Sequence, residues 1–221
     1  MKRAVVTQAL GDNWKKILEL TKPRMDAYCK RHELDLIAIE EPLAEPCQYT
    51  KLVIGNLMAT KGYGQITFFD ADVLIAQDCE DIGESCGSFK AFDEGAYLDR
   101  KKAMVSLASA FGGHIEPRFY VNTGVFVITS KCAGILSMPP LGLNPNHFGE
   151  QTWLNIQAHL WGVTLEDLDP IYNCMTSAES HFGLDRYKDA KVIHYAGQSA
   201  DLDKLAATIK ADDEKWKELG R

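Results

Sequence analysis

Phe68-Phe69-Asp70-Ala71-Asp72-Val73 places two carboxylates two residues apart between apolar runs. In extended chain, residues i and i+2 point the same way, so the pair offers two hard oxygen ligands to one point. Mg2+ or Mn2+ suits that donor set, with a phosphate completing the shell. Without a cation the two charges repel each other. The blander reading has one aspartate capping a turn and the other facing water. The flanking aromatics and Val73-Leu74-Ile75 argue against it, because burial on both sides makes idle carboxylates costly.

Three further segments carry candidate chemistry. Val192-Ile193-His194-Tyr195-Ala196-Gly197 puts a histidine at the end of a buried strand. A neutral imidazole suits Mn2+ beside two carboxylates, and the same residue also reads as a satisfied core histidine or a phosphate neighbour. His32 and His159 read as helix-surface histidines. Asn122-Thr123-Gly124 interrupts an apolar run, which points to close ligand approach at Gly124; a strand-end hydrogen bond to backbone is the alternative for Asn122. Glu150 follows a helix start, where the macrodipole already accounts for a carboxylate. It is also placed to act as a base on an acceptor hydroxyl.

The elements that must position these residues alternate between strand and helix. Residues 3–7 read as a buried strand, about 12–32 as a helix interrupted or kinked at Pro23, and 34–39 as a strand. A helix over 49–61 stops at Gly62 and Gly64. Residues 66–69 form a near-continuous apolar strand of the kind buried in parallel sheets. Then come Val73–Ile75, an acidic irregular stretch over 76–99 holding a strand at 89–92, and a helix over about 99–111. Residues 120–128 read as a strand pair or a bulged strand, 137–148 as a loop, and 149–161 as a helix. Strands near 163–168 and 191–195 and a polar helix over 201–219 complete the chain. This order predicts an α/β fold and one domain over 1–221. In open α/β sheets, ligands gather at the carboxyl ends of strands, which is where Asp70 and Asp72 fall. The long stretches 76–99 and 137–148 are the expected places for a lid or acceptor site.

Composition bounds the function. The chain has 221 residues, 31 Asp+Glu against 24 Lys+Arg, and a formal charge of -7. That balance argues against nucleic acid as partner, since gripping a phosphate backbone needs a basic face. The pI of about 5.4 gives no strong pull toward anionic membrane. Six cysteines form no CxxC pair and match no structural zinc spacing. The start of the chain has no long apolar core and no stretch approaches a membrane span. The expectation is a cytoplasmic protein with no transmembrane segment.

Four segments in this order resemble glycosyltransferases of the GT-A fold, most similarly the glycosyltransferase 8 family, the glycogenin and lipopolysaccharide galactosyltransferase group. They are Lys51 through Phe69-Asp70-Ala71-Asp72-Val73, then Val121-Asn122-Thr123-Gly124-Val125, then Gly149-Glu150-Gln151-Thr152-Trp153-Leu154-Asn155, and last Ile193-His194-Tyr195-Ala196-Gly197. The resemblance implies a Rossmann-related three-layer fold around a mostly parallel central sheet. It implies a metal-dependent, retaining hexose transfer from a nucleotide-diphosphate sugar, with uridine diphosphate the family default. Asp70, Asp72 and His194 would hold Mn2+ or Mg2+ on the diphosphate. Lys51, Ala71 and Gly197 would line the donor site, and Thr7, Gln8, Ala9 and Leu10 would cradle the base and ribose. Asn122 would contact sugar or acceptor. Glu150 and Gln151, where the family usually has Asp-Gln, would bind sugar hydroxyls or flank the reacting carbon. Tyr172-Asn173 falls where related enzymes carry a Tyr-Asn or Phe-Asn segment. The acceptor would be a saccharide, a lipid-linked saccharide or a protein. The family often continues from its histidine and glycine to Lys-Pro-Trp; this chain has Gln198-Ser199-Ala200-Asp201. Lys191, Lys188, Arg186 or a residue of a mobile loop would have to replace that lysine.

Three other readings compete. Phe69-Asp70-Ala71-Asp72-Val73 also resembles the nucleophile motif of haloacid-dehalogenase-type phosphatases, with Asp70 as nucleophile, Asp72 as acid/base and Thr129 or Ser130 supplying the next motif. That family opens with this motif near its N-terminus, whereas here two strands precede it. Asp212-Asp213, in a polar helix, reads as a solvated face. A degenerate module that only binds nucleotide or sugar is the second rival, supported by the missing lysine. A nucleotidyltransferase would want a Gly-rich basic loop where Gln8-Ala9-Leu10-Gly11-Asp12 stands.

Overall fold

A computed structural model describes residues 1–140 and 149–221. The strands are β1 (Arg3–Gln8), β2 (Asp35–Ile39), β3 (Gln65–Phe69), β4 (Val73–Ile75), β5 (Phe89–Asp93), β6 (Val121–Thr129), β7 (Leu165–Asp167), β8 (Cys174–Met175) and β9 (Val192–His194). The helices are α1 (Asp12–Arg31), α2 (Gly55–Lys61), α3 (Lys101–Ala110), α4 (Gly149–Leu160), α5 (Glu179–Phe182) and α6 (Leu202–Glu218). Six strands form the central sheet in the order β2-β1-β3-β6-β5-β7. β1 runs parallel to β2 and β3, and β5 parallel to β7, while β6 is antiparallel to both its neighbours. The sheet is therefore mixed and mostly parallel. A second sheet has the order β4-β9-β8.

The period of two along each strand divides the apolar residues between two layers. Val5, Phe69, Val125 and Val127 pack with Ile17, Leu18, Met25 and Tyr28 of α1 and with Leu205, Ile209 and Trp216 of α6. Ala4, Val6, Phe68, Phe126 and Ile128 face the other way, against Tyr49, Leu52, Met58, Met104 and Leu154. The expected α/β architecture, with a central sheet between helical layers, is the one observed.

Several elements differ in detail from expectation. α1 runs unbroken through Pro23. Residues 49–61 divide into a 3-10 helix, Cys47–Val53, and α2, which ends at Gly62 in the left-handed region with its N–H on Met58 O. The 120–128 stretch is one nine-residue strand, and the irregular register lies opposite it, between Ala91 and Asp93. β8 and α5 carry no period long enough to read. Of the loop expected at 137–148, residues 141–148 lie outside the described residues. All six cysteines are free, and five are buried.

Candidate active site

β3 and β6 bring the first groups together. Their antiparallel register sets Phe69 opposite Val125, so Asp70 and Gly124 leave the sheet side by side, and Asp70 N–H donates to Gly124 O (2.8 Å). Asp70-Ala71-Asp72 is a turn rather than the extended segment the i, i+2 argument assumes. Ala71 points into the core, its carbonyl accepting from Thr21 Oγ1 of α1 at 2.7 Å. The chain then reverses into β4, which pairs with β9 so that Val73 faces His194. That register delivers the imidazole to the carboxylates. His194 Nε2 lies 3.8 Å from Asp70 Oδ2 and 3.8 Å from Asp72 Oδ1.

Gly124 makes room for this approach. A β-carbon there would stand 2.1 Å from His194 Cε1. The close approach read from the sequence is thus real, but its occupant is the imidazole ring rather than a ligand. The ring's other nitrogen, Nδ1, is 2.8 Å from Asn173 Oδ1. Asn173 Nδ2 donates to Asn122 Oδ1 (3.1 Å), and Asn122 Nδ2 donates to Glu94 Oε2 (3.0 Å). Glu94 Oε1 accepts from Gln151 Nε2 at 3.1 Å, and Gln151 Oε1 accepts from Thr123 N–H at 3.1 Å. One buried chain of hydrogen bonds therefore runs from β9 across β6 to α4.

Asp70, Asp72, Glu94, Asn122, Gln151 and His194 line a cavity of about 390 Å3, with Gln8, Leu10, Trp14, Lys51 and Glu150 also on its walls. Burial raises the pKa of Asp72, with His194 opposing the shift. Burial likewise raises Glu94 and Glu150. Lys51 is buried beneath them, its Nζ 2.9 Å from Asp70 Oδ1 and 3.1 Å from Thr123 O. Arg100 also lines the cavity, 3.5 Å from Glu94.

Asp70, Asp72 and His194 form a group whose ligand atoms all lie within 4.8 Å of one another. Cis ligands of a small divalent ion at about 2.1 Å stand about 3 Å apart and trans ligands about 4.2 Å. A contraction on the order of 1 Å closes that gap. Two carboxylates and an imidazole suit Mn2+ by donor type, so the residues present fit such an ion.

Of the other residues picked from the sequence, Gln8, Leu10, Lys51, Ala71, Asn122, Glu150, Gln151 and Gly197 line the cavity. Thr7 and Ala9 do not; strand alternation turns them into the core. Lys191, Lys188 and Arg186 do not line it. Lys191 pairs with Asp78 and Glu80, Lys188 with Asp185, and Arg186 with Asp212 and Glu179. His32 and His159 are not plain surface residues. His32 Nε2 is 3.0 Å from Cys79 O, and His159 Nε2 accepts from Arg118 N–H. Asp212 is buried rather than solvated, accepting from Tyr187 and Tyr195. Thr129 pairs with Gln65, four residues back from Phe69. That puts Thr129 five residues, roughly 17 Å along the strands, from Asp70, and Ser130 farther still, which removes the phosphatase reading of them. Glu94 was missed, although it follows the buried strand β5 as Asp70 follows β3, and the same strand-end argument identifies it.

No protein-family model matches the chain, and no curated protein matches it in sequence. Solved structures do match. A glycosyltransferase involved in glycosylation of the major capsid of PBCV-1 superposes with a TM-score of 0.60 at 14% identity, over 94% of this chain and 99% of that one. The glycosyltransferase GlyE of Streptococcus pneumoniae TIGR4 gives 0.55 at 14% identity, over 99% of this chain and 65% of its own. The bifunctional glycosyltransferase WbbM gives 0.53 at 15% identity, over 98% and 51%. The chain thus spans half to two thirds of the last two proteins. The likeness shows the GT-A glycosyltransferase fold.

Proposed function

We propose that this protein transfers a hexose from a nucleotide-diphosphate sugar, a uridine diphosphate sugar first among them, to an acceptor hydroxyl. The observation that carries the reading is the meeting of Asp70, Asp72 and His194 at one point of the cavity. Mn2+ or Mg2+ held there supplies neutralisation of the charge that develops on a leaving diphosphate.

The chain's own residues divide the remaining work. Lys51 engages Asp70 Oδ1 and leaves Oδ2 facing His194. Gln8 Oε1 is buried without a partner, and an imide N–H of a base would satisfy it. Leu10 and Trp14 give the base an apolar wall. Gly197, with φ +80, adopts a backbone shape that favours glycine and lets the main chain approach the phosphates. Asn122 and Gln151 spend their amide oxygens inside the protein. Asn122 has an N–H left for a sugar hydroxyl, while the amide of Gln151 also meets the Tyr120 hydroxyl. Glu150 stands on the same wall, and the proposed outcome is retention of the donor's anomeric configuration.

A binding module without turnover is the second reading. It is favoured by the engagement of Lys188, Lys191 and Arg186 elsewhere. Incubation with Mn2+ and a panel of nucleotide sugars separates the two. The proposal expects free nucleoside diphosphate, and a product whose anomeric proton coupling matches the donor's. Binding with no nucleotide released would establish the module, and an inverted product would overturn retention.

A further inference from the structure

We infer that Asn173 is a positioning residue that keeps a proton on His194 Nδ1, so that Nε2 is the nitrogen turned toward Asp70 and Asp72 and left to bind an ion. Neither an amide nor an imidazole declares its orientation by shape alone. Here the orientations are forced from outside the side chains. Gly124 N–H, which can only donate, points at Asn122 Oδ1 at 2.9 Å. That end of Asn122 is therefore the oxygen. The atom of Asn173 that meets it at 3.1 Å must then be the nitrogen. Asn173 is left to face His194 Nδ1 with its oxygen, an acceptor only, at 2.8 Å.

The far end of the chain agrees. Thr123 N–H fixes Gln151 Oε1, so Gln151 Nε2 and Asn122 Nδ2 both donate to Glu94, whose two oxygens accept. Two adjacent backbone N–H groups of β6 thus set every amide between them, and the sequence of forced choices ends on the imidazole. Asn173 is fully buried and His194 nearly so, so water does not compete for Nδ1. The use of Nε2 rests on the metal-site reading above, whereas the proton on Nδ1 does not.

The test uses the metal-free protein labelled with 15N-histidine, with the ring nitrogens read by long-range proton–nitrogen NMR near pH 7.5. Wild type is expected to show His194 with Nδ1 protonated. A ring protonated on Nε2 alone would overturn the inference whatever the variants do. Asn173→Leu removes the acceptor and is expected to shift the ring toward the Nε2–H form. It should also weaken Mn2+ binding by about 10–100-fold, the usual effect of losing a hydrogen bond behind a metal-ligating histidine. Asn173→Asp, whose carboxylate still accepts from Nδ1–H, is expected to keep the tautomer. A folded Asn173→Leu protein with unchanged tautomer and Mn2+ affinity would also overturn it. If Asn173→Leu does not fold, the wild-type spectrum decides alone. A wild-type protein that shows Nδ1–H and binds no Mn2+ would remove the metal-site reading and leave the tautomer assignment standing.

Discussion

Gly124 has no side chain, and His194 occupies the space. Because an added β-carbon would overlap the ring at 2.1 Å from Cε1, Gly124→Ala must move the imidazole away from Asp70 and Asp72. We expect it to weaken Mn2+ binding by at least about tenfold, as measured by calorimetry, since a metal ligand tolerates little displacement of its support. Glu150 tests the electrostatics. Its pKa is raised by burial, with Lys51 opposing. A carboxyl whose folded pKa exceeds its unfolded value destabilises the fold above the folded pKa and has no effect below the unfolded one. Glu150→Gln should therefore unfold at a higher temperature than wild type near pH 7, with the difference closing as pH falls below about 4. An equal difference at both pH values would contradict this. Asp70, Asp72 and His194 were legible because their neighbours are apolar. Asn173 was legible only as part of a familiar dipeptide, since its role lies in contacts 21 and 51 residues away.

At the scale of elements, the site is made by two registers. β3 against β6 joins Asp70 to Gly124, and β4 against β9 joins Asp72 to His194. The strands themselves were readable from apolar runs, but their pairing was not, because it joins residues 56 positions apart in one case, Phe69 and Val125, and 121 in the other, Val73 and His194. Strand alternation also explains why only half of the Thr7–Leu10 segment reaches the cavity. α6 shows the converse failure. Its Asp212 looked solvated on a polar helix, yet it is 2% exposed and accepts from Tyr187 at 2.7 Å and Tyr195 at 2.9 Å, with Arg186 at 3.3 Å. Helical period reports which residues are apolar, not which polar residue is held by partners from another segment. Asp212→Ala should cost about 2 kcal/mol, because it leaves the buried Tyr195 hydroxyl without its acceptor and removes one of the two carboxylates that hold the half-buried Arg186. Denaturant unfolding checks it, and a loss below about 0.5 kcal/mol, typical of a surface change, would contradict the burial argument.

At the scale of the molecule, the central sheet supports the cavity floor while the second sheet supplies the imidazole, so the candidate site lies where the two sheets meet. The order of elements was sufficient to reach the α/β fold from the sequence. The mixed direction of the sheet was not, because an antiparallel central strand such as β6 is as apolar as a parallel one. The acidic balance of the chain, -7 overall, sharpens the need for a local cation. Four carboxylates, Asp70, Asp72, Glu94 and Glu150, share one cavity with Lys51 and Arg100. A diphosphate entering that cavity alone meets net negative charge, and a divalent ion offsets it at the point where Asp70, Asp72 and His194 meet. The most direct measurement is therefore calorimetric titration of uridine diphosphate into the protein with and without Mn2+, repeated on Asp72→Asn. The account predicts binding in the presence of Mn2+, little without it, and loss of the metal-dependent part in the variant while its unfolding temperature stays close to wild type. Binding of equal strength with and without the ion, or an Asp72→Asn protein that keeps the full metal effect, would contradict it.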